Sequence, residues 1–154
     1  MTAAISRNVC IEAVKKLIDT GMINLAYVNP SSGRNFLHEA AWVDNIEAAE
    51  LLLGTGAFAG RMDEPLPDNE GGHTALHLAG LRASPEFCRL LVENGADAAV
   101  KQKTCRMQPQ TAADAAEGMG KTDCANLLRE MMVTMDTVKF GNRLRHRAKT
   151  TAAK

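Results

Sequence analysis

The chain has 154 residues, 45% hydrophobic but only 4% aromatic, which suits one folded domain or a short array of repeats. No stretch nears the roughly 20 apolar residues of a membrane span, and Arg7, Glu12, Lys15 and Lys16 break up the N-terminus where a signal peptide would be apolar. The net charge of zero divides unevenly: residues 1–136 hold all 18 acidic and 12 of the 18 basic residues, a net −6, and the remaining six basic residues follow as a +6 end.

In chain order, the first helical signal is "CIEAVKKLIDTG", a run of residues 10–21 with apolar side chains on one face. Next comes "NFLHEAA", residues 35–41, followed by Leu51-Leu52-Leu53 and Gly56-Ala57. The same elements return 39 residues later as "TALHLAG", Leu90-Leu91-Val92 and Gly95-Ala96. A third copy, "TAADAA" with Leu127-Leu128, stands 37 residues after the second. Self-similarity at this period predicts a repeat array.

Each copy reads as two helices. Asn35, Thr74 and Thr111 suit the N-cap of a short first helix, and His38, His77 and Asp114 sit three residues on, where a polar side chain bonds back to the helix start. Small residues follow (Ala40-Ala41, Ala79-Gly80, Ala115-Ala116), predicting close approach of neighbouring helices. Polar breaks at Asp44-Asn45, Ser84-Pro85 and Gly120-Lys121 then open the second helices, which end at Gly56 and Gly95. Cys10, Cys88, Cys105 and Cys124 form no C-x-x-C pair and are expected to be free thiols in a reducing compartment, with Cys88 and Cys124 as small apolar fillers.

The motifs "NFLHEAA…LLLGTGA", "HTALHLAG…LLVENGAD" and "QTAADAAEGMGKTDCANLL" resemble the ankyrin-repeat family over about residues 8–130. The departures are the missing Pro after the capping Asn or Thr and the interhelical Gly, present only as Gly120. The resemblance implies an all-α solenoid of stacked helix-turn-helix units in residues 1–136, with a half repeat at 8–29 and full repeats at 30–69, 70–106 and 107–136. It also implies loops projecting from one edge and a concave face lined by first helices. Residues 137–154 are then a basic tail, read as solvated and disordered, with nuclear targeting, nucleic-acid contact or an acidic partner as alternatives. The initial Met and this end suggest a whole chain. The surplus over the ~33-residue ankyrin period falls in "GRMDEPLPDNEG", residues 60–71, read as an acidic surface finger that could clamp to the tail.

His73 and His77 are four apart, a spacing that on one helix begins a zinc site. His73, however, precedes the N-cap, His77 and His38 fall in the slot where the family places a turn-bracing histidine, and no H-E-x-x-H occurs. "AEGMGKT", residues 116–122, lacks the first Gly of a phosphate-binding loop, where Ala115 stands, and follows a helix rather than a strand. No metal, cofactor or catalytic residue is therefore expected, and the chain is read as a non-enzyme.

The resemblance places partner-facing positions at the loop tips and just past the small residues of each first helix. Those are Arg34, Trp42 and Val43, then His73, Leu81 and Arg82, then Met107 and Met119. The expected function is an adaptor or scaffold binding an unidentified protein, as a monomer in the cytoplasm or nucleus, without a small-molecule substrate or membrane. An inhibitory or regulatory subunit is the nearest alternative, and an unrecognised enzyme or a nucleic-acid binder using the tail comes from other classes. With no aromatic platform beside the basic run, nucleic acid is disfavoured.

Overall fold

The computed structural model describes residues 12–102 and 108–152, with side chains given to 137 except at Asn69. Among the described residues are seven α-helices, α1 (residues 12–19), α2 (Phe36–Trp42), α3 (Ile46–Gly54), α4 (Ala75–Arg82), α5 (Pro85–Glu93), α6 (Ala112–Gly118) and α7 (Thr122–Ala152), and one short 3-10 turn at Asp68–Glu70. Among the described residues extended pairing is limited to two isolated bridges, Val28 with Asn35 and Lys101 with Thr111, each closing the loop before a first helix. First helices stack on one another, α2 on α4 and α4 on α6, and second helices form a parallel layer, α3 on α5 and α5 on α7. The chain is thus an all-α stack of helix pairs.

The caps form where the sequence places them. Asn35, Thr74 and Thr111 each accept from the backbone N–H three residues on, and His38, His77 and Asp114 each return a bond to the N-cap backbone N–H. Such a box satisfies donors that a short helix otherwise leaves open. Pro85 occupies the first turn of α5, with Ser84 as its cap. Gly56 and Gly95 follow α3 and α5 in left-handed conformation.

Packing follows from small side chains. Ala41, Ala79 and Ala116 are fully buried, and Gly80 approaches α6 so closely that a Cβ there would lie 2.7 Å from the carbonyl oxygen of Ala112. Leu52, Leu91 and Leu128 bury one leucine from each second helix, while their neighbours Leu51, Leu53, Leu90 and Leu127 are only partly covered. Cys88 and Cys124 are buried free thiols of this core, and burial is the first cause that raises both thiol pKa values. Cys10 and Cys105 lie outside the described residues.

Two regions differ from the sequence reading. Residues 60–71 are not a solvent-projecting finger. Met62 and Leu66 are buried, and Pro67 rests where a Cβ on Gly33 would come within 2.3 Å. Two of its four acidic groups are engaged: Glu64 pairs with Arg61 at 2.7 Å and accepts from Asn35 Nδ2, while Asp63 accepts the Asp97 N–H at 2.9 Å. The insert therefore struts one repeat against the next. The other difference is the tail, whose backbone continues α7 as helix to Ala152 rather than beginning an irregular end. Its basic side chains, and with them the clamp to residues 60–71, fall outside the described side chains.

Candidate protein-binding face

His77 Nδ1 lies 2.8 Å from Thr74 Oγ1 and accepts the Thr74 N–H, and its Nε2 lies 3.1 Å from the Gln110 carbonyl, to which it donates. His38 repeats the arrangement, with the Asn35 N–H on Nδ1 and the Glu64 carbonyl 3.1 Å from Nε2. Each ring thus ties its own cap to the loop of the next repeat and has no lone pair left for an ion. Burial is the main cause that lowers both pKa values from 6.5 to about 4, fixing the neutral form. Asp114 supplies only the inward half of this device, because a carboxylate accepts from Thr111 but donates nothing onward. Among the described residues no group of three or more His, Cys, Asp or Glu is placed to hold a metal.

His73 lies beside this system rather than on α4. Its ring is half-buried, 6.2 Å from that of His77, and would meet a Cβ on Gly71 at 2.8 Å. Burial lowers its pKa, with buried Gln102 of the following loop acting in the other direction. His73 therefore supports the loops while its side chain stays partly exposed.

Three expected residues come together. The Arg34 guanidinium carbon lies 4.2 Å and that of Arg82 3.8 Å from the centre of the Trp42 ring. Trp42 ends α2, Arg34 precedes the Asn35 cap of the same helix, and Arg82 ends α4, so the cluster joins two repeats. Trp42 is partly buried against the core and partly accessible. Each stacked guanidinium contributes about 0.5–1 kcal/mol at an exposed site, more where water is excluded. Stacking occupies the flat faces of the cations and leaves their N–H edges for other acceptors.

Those edges are thinly used. Arg34 makes one long contact, 3.9 Å to the half-exposed Glu39, and its buried Nε has no partner. Arg82 is exposed and makes no ion pair among the described residues. It borders a hollow of about 380 Å³ lined also by Asp44, Ser84, Lys121 and Asp123. The turn groups there serve the stack: Asp44 accepts the Ser84 hydroxyl at 2.9 Å, and Lys121 donates to the Ala83 carbonyl at 2.9 Å. Neither pairing was expected from the sequence; the recurring polar residue at each interhelical turn was its only signal.

Val43, Arg82 and Met119 hold the same register position in successive repeats, and Val43 and Met119 are each 61% exposed. Leu81 is half-covered, and Met107 lies outside the described residues. A separate groove of about 810 Å³ between α1 and α3 contains none of the expected partner-facing residues.

Stacked helix pairs with capped first helices are the architecture expected of ankyrin repeats, and one stretch of the chain matches that family. Residues 71–103 match the Ankyrin repeat family, so the chain carries an ankyrin repeat. It is 37% identical over 87 residues to protein phosphatase 1 regulatory subunit 27 of Homo sapiens and 34% identical over 87 residues to that of Mus musculus. Each alignment takes in 56% of this chain and 52% of the relative, so the chain spans about half the length of these relatives. Among solved structures, a chain from the complex of a predatory endopeptidase from Bdellovibrio bacteriovorus with an immunity protein superposes with a TM-score of 0.62 at 25% identity. That match covers 80% of this chain and 58% of the other. No described helix is long and apolar enough to cross a membrane.

Proposed function

We propose that the chain is a non-catalytic protein-binding module whose contact surface runs along the first helices and adjoining turns. The observation that carries this reading is the accessible Trp42 holding two sparsely paired arginines at the junction of two repeats. Trp and Arg are the side chains most enriched at binding hot spots, where a large rigid ring and a multidentate cation contribute most per residue. Expressed this way, the partner-binding set is Arg34, Trp42, Val43, Leu81, Arg82 and Met119, with the edge of His73 beside it.

A regulatory subunit is the more specific form of this reading, supported by the two relatives, both named regulatory subunits of protein phosphatase 1. The module would then act by occupying or positioning a phosphatase, in the cytoplasm or nucleus. Calorimetric titration of the full chain into the purified catalytic subunit of protein phosphatase 1 tests it. The expected result is a stoichiometric complex that Trp42→Ala weakens about 30-fold, equivalent to the ~2 kcal/mol that marks a hot spot. No heat with either protein would end the phosphatase reading, and equal heats would move the contact off Trp42.

A further inference from the structure

We infer that the Arg34–Trp42–Arg82 cluster, with Val43 and Met119 flanking Arg82, docks an extended acidic segment of a partner protein. The inference rests on the binding-face reading above and specifies the chemistry of what that face takes.

Charge supplies the first argument. Residues 1–136 carry a net −6, yet this surface presents two guanidinium groups with no strong counter-ion. Arg34 is only 17% exposed along its side chain, and its Nε is buried without an acceptor. The carboxylates nearby do not relieve the cluster. Glu39 stands 3.9 Å from Arg34; Asp44 and Asp123 line the hollow beside Arg82 without an ion pair to it, and Asp44 accepts from the Ser84 N–H and hydroxyl. Trp42 restricts Arg82 without consuming its donor edge, so an incoming carboxylate meets a preordered fork that suits two-point acceptance.

Spacing supplies the second. Neighbouring helices pack about 8–10 Å apart, so Val43, Arg82 and Met119, in equivalent register on successive repeats, form a row with roughly that interval. A polyproline-type extended chain advances about 9.3 Å every three residues and returns to the same face. Such a segment with an acidic residue at its centre and apolar residues three positions to either side would set its carboxylate at Arg82 and its apolar groups at Val43 and Met119. A helix would offer the same face every 5.4 Å or so, a poorer match to the row.

The test is panning of a phage-displayed random-peptide library on the immobilised full chain, then affinity measurement with the best synthetic peptide. Enriched peptides should carry Asp or Glu three residues from apolar positions. Binding should weaken on the order of 10- to 100-fold with Arg82→Glu, fall with added salt, and be restored when the peptide acid is exchanged for Lys against that variant. Arg82 is exposed, so the substitution should leave the fold intact, which circular dichroism verifies. Peptides that require Trp42 but ignore Arg82→Glu would overturn the acidic segment and leave the binding face standing. Enrichment of no peptide sensitive to Trp42→Ala would overturn both.

Discussion

The bridge from His77 to Gln110 makes a quantitative prediction about acid. His77→Asn keeps a side-chain oxygen for the Thr74 N–H but cannot reach the Gln110 carbonyl, and it removes the titrating ring. At pH 7 the variant should be less stable by about 1–3 kcal/mol, the cost of leaving a polar partner unsatisfied. The pH dependence carries the sharper number. Folded His77 takes its proton only near pH 4, against 6.5 for an ordinary imidazole, chiefly because it is buried. Between those values the unfolded chain binds a proton that the folded chain refuses. Stability from the neutral ring is therefore complete above about pH 6.5 and drains away as pH falls towards 4. A difference of this size is worth about 3 kcal/mol at 1.36 kcal/mol per pH unit. Urea unfolding followed by circular dichroism at pH 7, 6, 5 and 4 reads it, because subtracting the variant cancels the carboxylates common to both proteins. The wild-type advantage should shrink through that range. A constant gap would refute the buried neutral histidine and the bridge argued from it.

Leu91→Ala should cost about 2–5 kcal/mol in the same urea assay, since Leu91 is fully buried between the second helices; a loss below about 1 kcal/mol would contradict the packing. Gly33→Ala should lower the midpoint of thermal unfolding, because Gly33 has φ +67 and the new methyl would overlap Pro67. Exchanging Pro67 for Ala in that background should restore part of the loss, and unchanged melting in both variants would remove the strut between loop and insert.

The residues that were legible are those whose roles are local. Asn35, Thr74 and Thr111 cap their helices through bonds spanning three residues, and the paired small residues fix helix contact by volume alone. The insert misled because its composition, rich in Asp, Glu and Pro, marks a solvated loop, whereas its fate depended on Met62 and Leu66 finding cover in distant parts of the chain. Two apolar residues four apart within the acidic run were the available signal. The loop position of His73 was legible, whereas the half-burial of its ring was not, since it depends on Gly71 and on Gln102 of the next loop. Arg34, Trp42 and Arg82 were each legible as surface candidates. Their assembly into one stack was not, since it joins the two ends of α2 to the end of α4, and no local pattern encodes which long side chains meet. The tail's helix was locally encoded, since Arg143-Leu144-Arg145-His146-Arg147-Ala148-Lys149 is mostly made of good helix formers.

Trp42 is the sole tryptophan of the chain, which makes the central claim directly measurable. Replacing it with 5-fluorotryptophan gives a single fluorine resonance at the contact surface. When the purified catalytic subunit of protein phosphatase 1 is added, the binding-face account predicts that the chemical shift of this resonance moves in step with complex formation followed by calorimetry. A saturated complex that leaves the shift unchanged would place the partner elsewhere on the molecule and contradict the account.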